Sequence, residues 1–314
     1  MSEREIVCED LDREIEQLRG QGFRLDLIYP ADEPHTAVLS NGADSVRLTN
    51  RAGAPGPSDR LPPFAPEFVL TRAGESASQG RAGMLYRDLI PSRLGGRYIA
   101  SHIAIPEGGP VGDWVHFHRI ALQLLYVRRG WVRVVYQDQG EPFAMNEGDL
   151  VLQPPEIRHR VLESSSGFEI VEISAPAVHA TYADHELELP NGSAPDRLYG
   201  GQRFLHHKSA ETEWAPFAGG EAQETAMAQA TAMAQATGGL AEVRTVRPGR
   251  ADSLDFPPHE GELVFGFVLD GSALLGEHAL GPADSFVIPP GQPWRLTRLS
   301  ADFRLLHVTT ARLD

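Results

Sequence analysis

Most of the chain alternates short apolar runs with turn residues. Runs such as LQLLYVRRG, WVRVVYQDQG and FEIVEIS are separated by Gly, Pro and Asp, and many short strands at this spacing indicate a β-sandwich or β-barrel. Residues 9–22 follow a helical period instead, because Leu11, Ile15 and Leu18 fall on one face and Asp10 can serve as the N-cap. The pattern therefore predicts an all-β protein with a small α+β segment at its N-terminus.

A proline-rich stretch separates this N-terminal segment from the rest of the chain. Residues 51–67 contain five prolines, and proline removes backbone donors and fixes φ. We therefore expect a linker at 51–67 and a separate N-terminal segment at 1–50.

The β-rich part contains an internal repeat. GDLVLQPPEIRHRV (148–161) matches ADSFVIPPGQPWRL (283–296) at an offset of 135 residues. Upstream, LQLLYVRRG (122–130) matches LVFGFVLDG (263–271) at an offset of 141 residues. The repeat predicts two related β-modules, at 68–185 and 198–314.

The second module carries an Ala- and Gln-rich insertion at 221–239, in which TAMAQA occurs twice in tandem. Alanine and glutamine favour helix. The insertion has no aromatic or large branched side chain to bury, so we expect a solvated helix or a disordered segment.

Charge and composition limit the classes of function. The net charge is −15 and the pI is about 5.2, and so acidic a surface repels phosphate backbones and anionic lipids. We therefore expect no nucleic-acid partner and no membrane partner. Cys8 is the only cysteine, which excludes an intrachain disulfide. No apolar run reaches transmembrane length, and the acidic start differs from a signal peptide. We expect a cytoplasmic protein.

Four polar residues lie at positions where strands should be buried. His116 and His118 share one face of a strand, about 6.6 Å apart, and Gln123 is a lone polar residue on an otherwise apolar face. His159 follows the turn at 154–155. Three imidazoles and an amide oxygen inside a small barrel suit a borderline divalent ion.

The order of these residues resembles the cupin superfamily. The matching positions are His116, His118, Gln123, Gly130, Gly148, Pro154 and His159. The resemblance implies two cupin-type β-barrels of the double-stranded jelly-roll type. It also implies one divalent metal ion held by His116, His118, Gln123 and His159, with Gln123 where glutamate is usual. Fe(II) is our first choice of metal, and Ni, Mn, Co or Zn fit as well.

Gln123 affects the charge of the predicted metal site, and its own role there can be interpreted in two ways. A neutral shell leaves the full charge on the ion and favours an anionic, bidentate oxygen ligand. In the alternative interpretation Gln123 is not a ligand but forms a hydrogen bond to one, since amides are poorer metal ligands than carboxylates.

The second module lacks this set of residues. The offsets place His259 at the position of His118, Val264 at that of Gln123 and Trp294 at that of His159. A single histidine cannot hold an ion tightly. We expect this module to support the first one or to mediate a homodimer, and we expect Glu262 to be a solvated turn charge.

Alternate residues of a strand share one face, and this alternation (strand parity) suggests three further residues for the substrate pocket. Trp114 shares the face of His116, Arg133 can meet an anionic substrate, and Tyr98 lies on an earlier strand. Each of them can equally be an ordinary packing or rim residue.

The N-terminal segment has a resemblance of its own. Its β-α-β-β-β order over residues 4–50 resembles a half-module of the glyoxalase/vicinal-oxygen-chelate proteins. It carries no recognisable ligand set, so we interpret it as a structural or dimerising appendage.

These observations predict a metal-dependent enzyme with a small-molecule substrate. The first hypothesis is a dioxygenase acting on an enolic, phenolic or oxo-acid substrate. The second is a non-redox isomerase, cyclase or lyase, in which the metal stabilises an enolate. The third is a binding module that catalyses nothing, because fold does not determine function.

Overall fold

The computed structural model describes residues 3–42, 44–53, 56–58, 60–75, 77–79, 84–224, 226–227 and 230–313. The N-terminal segment consists of β1 (Glu3–Val7), α1 (Leu11–Gly20), β2 (Arg24–Tyr29), β3 (Thr36–Ser40) and β4 (Ser45–Thr49).

Helix α1 covers one side of the N-terminal strands. Its N-cap is Asp10, whose side chain accepts a hydrogen bond from the backbone N–H of Arg13, and this satisfies a donor that the first turn leaves open. Leu11, Ile15 and Leu18 are buried against the sheet. The strand order is β1-β4-β3-β2, with β1 parallel to β4. The likeness to a vicinal-oxygen-chelate half-module stays a prediction.

Among the described residues, thirteen strands follow in the range of the first module. They are β5 (Val69–Thr71), β6 (Ser78–Gln79), β7 (Leu85–Asp88), β8 (Ile99–Ile105), β9 (Gly109–Pro110), β10 (His116–His118), β11 (Leu122–Arg129), β12 (Trp131–Tyr136), β13 (Phe143–Asn146), β14 (Leu150–Leu152), β15 (His159–Ser164), β16 (Phe168–Ala175) and β17 (Thr181–Ala183).

The described part of the second module's range contains fifteen strands, a short helix α2 (Ala232–Ala236) and a 3-10 turn (Ser209–Glu211). The strands are β18 (Leu198–Tyr199), β19 (Gln202–Arg203), β20 (Leu205–His207), β21 (Trp214–Phe217), β22 (Gly220–Glu224), β23 (Ala226–Met227), β24 (Ala230–Thr231), β25 (Ala241–Arg247), β26 (Ser253–Phe256), β27 (Val264–Asp270), β28 (Ala273–Leu275), β29 (His278–Leu280), β30 (Ser285–Val287), β31 (Trp294–Thr297) and β32 (Arg304–Thr310).

Two sheets face each other in the first module. One runs β1-β4-β3-β2-β17-β10-β15-β12-β13, with β9 beside β15, and the other runs β20-β14-β11-β16-β8-β7-β6. The N-terminal segment continues the first of these sheets, because β2 pairs with β17. Within the described residues, strand pairing gives open sheets rather than the closed barrels that the sequence predicted.

The two modules exchange strands. The second module has a sheet β21-β22-β25-β32-β27-β30-β5 and a smaller sheet β26-β31-β28-β29. Strand β5 therefore pairs with the second module, although it lies in the predicted range 68–185, and β20 pairs with the first, although it lies in 198–314. Strand pairing thus crosses the predicted boundary at these two edge strands, and the predicted ranges stay predictions.

The internal repeat reappears in the strand register. Leu124 pairs with Leu152 in the first module, and Phe265 pairs with Val287 in the second. These are equivalent positions under the two offsets. The apolar faces of β11 and β27 meet in one shared core, which contains Leu124 and Phe265.

Part of the Ala- and Gln-rich insertion is packed rather than solvated, which corrects the expectation for 221–239 where its burial is described; residues 225 and 228–229 of it lie outside the described residues. Helix α2 packs into the shared core, where Met233 is fully buried and Ala236 is 1% exposed. Upstream, β22 is an inner strand of the second module's sheet. The expectation was wrong because methionine and alanine fill a gap between modules without aromatic or branched side chains.

The proline-rich linker also packs against the shared core, through Leu61 and Phe64. Close by, Glu262 is 6% exposed and forms an ion pair with Arg97 at 2.8 Å. Glu262 is therefore not the solvated turn charge that the sequence suggested. Neither helix in the described part of the chain has the length and apolar character needed to cross a membrane.

Candidate metal centre

Strand pairing brings three histidines together. His116 and His118 point to the same side of β10, and His116 is the direct cross-strand partner of His159 on β15. Ring centroids lie 4.1 Å apart for His116 and His159, and 5.4 Å apart for each of the other two pairs. One ring nitrogen of each histidine lies within 4.8 Å of the others, and all three side chains are buried.

Backbone carbonyls set the tautomer of each ring. The Nδ1 atoms donate to the carbonyl oxygens of Trp114 at 2.7 Å for His116, Ala180 at 3.2 Å for His118 and Ile157 at 3.0 Å for His159. A carbonyl oxygen only accepts, so each Nδ1 carries the proton and each Nε2 keeps a lone pair. Three oriented lone pairs at one point are the arrangement that a metal ion requires.

Burial and the neighbouring rings keep the imidazole of His118 neutral. Burial is the main cause that lowers the pKa of His118 far below its ordinary value, and the neighbouring rings of His179, His116 and His159 lower it further. The carboxylate of Asp113 lies 3.5 Å from Nδ1 of His116 and also accepts a hydrogen bond from the backbone of Val161. Neutral, pre-oriented imidazoles fit a borderline divalent ion such as Fe(II), Mn(II) or Zn(II).

Gln123 lies in the same cavity and is 2% exposed. Its side-chain amide is hydrogen-bonded at both ends: Nε2 donates to Glu172 at 2.7 Å, and Oε1 accepts from Nε2 of Gln153 at 2.6 Å. A carboxylate only accepts, so Glu172 determines which end of the amide faces it. Whether Gln123 is a fourth ligand stays a prediction.

The hydrogen bonds of Gln123 belong to a longer buried chain. The hydroxyl of Tyr136 donates to Oε1 of Gln153 at 3.0 Å, and Ser174 donates to Oε1 of Glu172 at 3.1 Å. Burial, together with the charge of Glu172, raises the pKa of Tyr136, so this hydroxyl keeps its proton. The chain therefore runs in one direction, from Tyr136 through Gln153 and Gln123 to Glu172.

The three histidines form one wall of a cavity of about 150 Å³ between the two sheets. A cavity of this volume is on the order of the size of a benzene ring. The opposite walls are apolar and include Ile103, Leu125, Val134, Met145, Phe168 and Ile170. The arrangement suits a small ligand that has an oxygen-bearing head at the histidines and an apolar body.

The N-terminal segment contributes to the same cavity. Ala31 and Asp32, which follow β2, are among the lining residues. The backbone N–H of Ala31 donates to the carbonyl of His179 at 2.8 Å, and Asp32 forms an ion pair with Arg93 at 3.0 Å. The segment is therefore part of the wall as well as an extension of the sheet.

The structure does not bring Trp114, Arg133 or Tyr98 to the cavity. Trp114 packs against the core of the N-terminal segment. Its carbonyl accepts from His116, and its ring lies 6.1 Å from the His116 ring. Arg133 points outward to Glu163 at 3.4 Å, because Val132 and Val134 occupy the inward positions of β12.

The third of these residues, Tyr98, is fully buried elsewhere. Its hydroxyl contacts Glu262 at 3.0 Å and Thr310 at 2.8 Å. None of these three residues lines the cavity, since the alternation of side chains identifies one face of a strand but not what that face contacts. Their role in substrate binding stays a prediction.

The sequence analysis did not identify several polar residues of the cavity, among them Tyr136, Gln153, Glu172 and His179. A signal existed for one of them. Glu172 shares strand parity with Phe168 and Ile170, and both of these line the cavity. A carboxylate on an inward apolar face needs a partner. This requirement would have identified Glu172 as a candidate residue of the site.

No family model matches the chain, and none of the curated proteins matches it either. Solved structures do. The protein Ylba from E. coli is 12% identical with a TM-score of 0.52, over 80% of this chain and 94% of that one. A deletion mutant of Bacillus subtilis oxalate decarboxylase is 12% identical with a TM-score of 0.51, over 85% of this chain and 81% of that one.

The same B. subtilis enzyme at pH 4.6 is 12% identical with a TM-score of 0.50, over 85% of this chain and 80% of that one. A further structure of that enzyme is described as having Mn(II) centres. At this level of identity the likeness concerns the fold alone. The comparisons thus show that this chain shares its overall fold with these proteins.

Proposed function

We propose that the chain is a mononuclear metal-dependent cupin enzyme, and that it is a dioxygenase acting on a small enolic or phenolic substrate or an oxo acid. One observation carries this proposal. His116, His118 and His159 each place one ring nitrogen within 4.8 Å of the others in the wall of a largely apolar cavity, and their Nε2 atoms carry no proton. Fe(II) is our first choice of metal. A bound Fe(II) ion would supply redox chemistry with dioxygen and polarise an oxygen of the substrate.

The charges of the cavity support an anionic substrate. Three neutral imidazoles leave the charge of a divalent ion unreduced. The carboxylate of Glu172 lies in the same cavity but outside the histidine group. Together they favour a ligand with a single negative charge over a doubly charged one. The apolar walls would hold the body of that ligand and exclude water from its head.

A non-redox isomerase, cyclase or lyase is the second candidate, and Glu172 is the observation that favours it. A carboxylate outside the ligand group is available to accept a proton from a substrate. In the oxygenase the same carboxylate would only position the substrate.

Elemental analysis of protein purified without chelators tests the proposal. We expect about one divalent ion per chain, lost in His118→Ala. The matched control is His185→Ala, because His185 is an exposed histidine that pairs with Asp26 outside the cavity. Wild-type protein without a bound ion, or an ion retained by His118→Ala, would contradict the metal site.

Oxygen consumption then separates the candidate reactions. Iron together with substrate-dependent oxygen uptake supports the dioxygenase. A bound ion with turnover but no oxygen uptake supports the non-redox enzyme. The homodimer and the small-molecule substrate stay predictions.

A further inference from the structure

One carboxylate oxygen of Glu172, Oε1, accepts hydrogen bonds from other side chains, and the other, Oε2, does not. It lies on β16 opposite Leu125 and Ser101 and lines the same cavity as the three histidines. Oε1 accepts hydrogen bonds from Gln123 at 2.7 Å and from Ser174 at 3.1 Å. Within the described residues, both side-chain hydrogen bonds to Glu172 reach Oε1, and none reaches Oε2.

Hydrogen bonds through Gln123, Gln153 and Tyr136 fix the position of the Glu172 carboxylate. Gln123 cannot turn away from it, because Gln153 occupies the other end of the amide and Tyr136 holds Gln153. All of these contacts reach Oε1. No protein side chain donates to Oε2, so this oxygen is available to a ligand in the cavity that carries a donor.

We infer that Glu172 determines the substrate specificity of this cavity, by accepting a hydrogen bond at Oε2 from a hydroxyl group of the substrate. The inference rests on the proposed function and narrows it. Enols and phenols carry such a hydroxyl, whereas their methyl ethers do not. A fully deprotonated oxo acid carries only acceptors, and these would meet a second carboxylate without a donor between them.

The rest of the cavity agrees with a hydroxylated ring or a short enol. The volume is about 150 Å³, which is on the order of a benzene ring. Phe168 and Ile170 are the inward neighbours of Glu172 on β16 and provide an apolar surface beside the carboxylate. A ligand of this class would place one oxygen toward the histidines, its hydroxyl at Glu172 and its carbon body on these side chains.

Calorimetric titration of zinc-loaded protein with catechol and with its monomethyl ether, guaiacol, tests the inference. Zinc holds the site without redox turnover. We expect wild type to bind catechol more tightly than guaiacol. In Glu172→Leu the ratio of the two affinities should fall by roughly 10- to 100-fold, as for the loss of a hydrogen bond to a charged group. The exposed carboxylate variant Glu163→Gln is the control and should keep the wild-type ratio.

Glu172→Gln is the second variant if the leucine variant does not fold. It keeps the hydrogen bond capacity toward Gln123 but loses the charge, and its ratio should fall between those of wild type and Glu172→Leu. Zinc content is measured on every variant. A zinc-loaded wild type that binds neither probe, or a ratio unchanged by both substitutions, overturns the role of Glu172 while the metal site stands. A wild type that does not bind zinc overturns the proposed function and this inference with it.

Discussion

Arg97 and Glu262 form a buried ion pair that joins the two modules. Two guanidinium nitrogens of Arg97 donate to the two carboxylate oxygens of Glu262, at 2.9 and 2.8 Å. Tyr98 donates to the same carboxylate, and Arg97 also reaches the carbonyl of Leu313. The two charged side chains are 7% and 6% exposed, so their charges are compensated mainly by one another.

This ion pair predicts a strongly non-additive effect on stability. Glu262→Leu alone should lower the free energy of unfolding by about 3–5 kcal/mol, because it leaves a buried guanidinium without its partner. The double variant Arg97→Met/Glu262→Leu should recover most of that loss. Urea unfolding measures both. The exposed pair Arg133–Glu163 is the control and should contribute no more than about 1 kcal/mol. Additive losses at Arg97 and Glu262 would contradict the coupling.

Gln123→Leu distinguishes a ligand from a connecting residue. In the structure, both ends of the Gln123 side-chain amide form hydrogen bonds, one with Gln153 and one with Glu172. If Gln123 only connects them, the variant should keep its metal and lose about 1–3 kcal/mol of stability, since two buried groups lose a partner. Metal competition with a chelator and urea unfolding provide the two readouts. A 10- to 100-fold weaker metal affinity would instead favour the role of a ligand.

His307 predicts a pH dependence that originates in the second module. Burial, and after it the charges of Arg244 and His259, lower its pKa from 6.5 to about 3. Between these values the unfolded chain binds a proton that the folded chain does not, so stability falls as the pH decreases. From pH 7.5 to pH 5 the contribution to the free energy of unfolding should fall by about 2 kcal/mol.

Urea unfolding of His307→Leu at the same two pH values isolates this contribution. The variant should lose about 2 kcal/mol less than wild type over this interval. His278→Leu, at an exposed histidine, should behave like wild type. An identical pH dependence of wild type and His307→Leu would show that His307 titrates alike in both states.

Met233 tests the role of the Ala- and Gln-rich insertion. It is fully buried in the core shared by the modules, so Met233→Ala should lower the free energy of unfolding by about 2–5 kcal/mol. Gln235→Ala on the same helix is exposed and should change it by no more than about 0.5 kcal/mol. Equal, small effects of the two substitutions in urea unfolding would indicate that α2 does not pack in solution.

Local patterns in the sequence determined much of this protein. Strand periodicity places His116 and His118 on one face, and apolar spacing indicates the helix that begins after Asp10. The repeat predicted which positions are equivalent, and the register reproduces this at Leu124 and Phe265. Such features depend on backbone periods of 2 and 3.6 residues, and a few neighbouring residues are enough to set them.

Only the tertiary structure decided which strands lie side by side. His159 meets His116 because β15 pairs with β10, while Glu172 reaches Gln123 because β16 pairs with β11. The exchange of β5 and β20 and the burial of Met233 likewise depend on contacts between segments far apart in the chain. Those contacts are selected by the packing of the whole core and by the closure of long loops, and no short stretch of sequence carries that information.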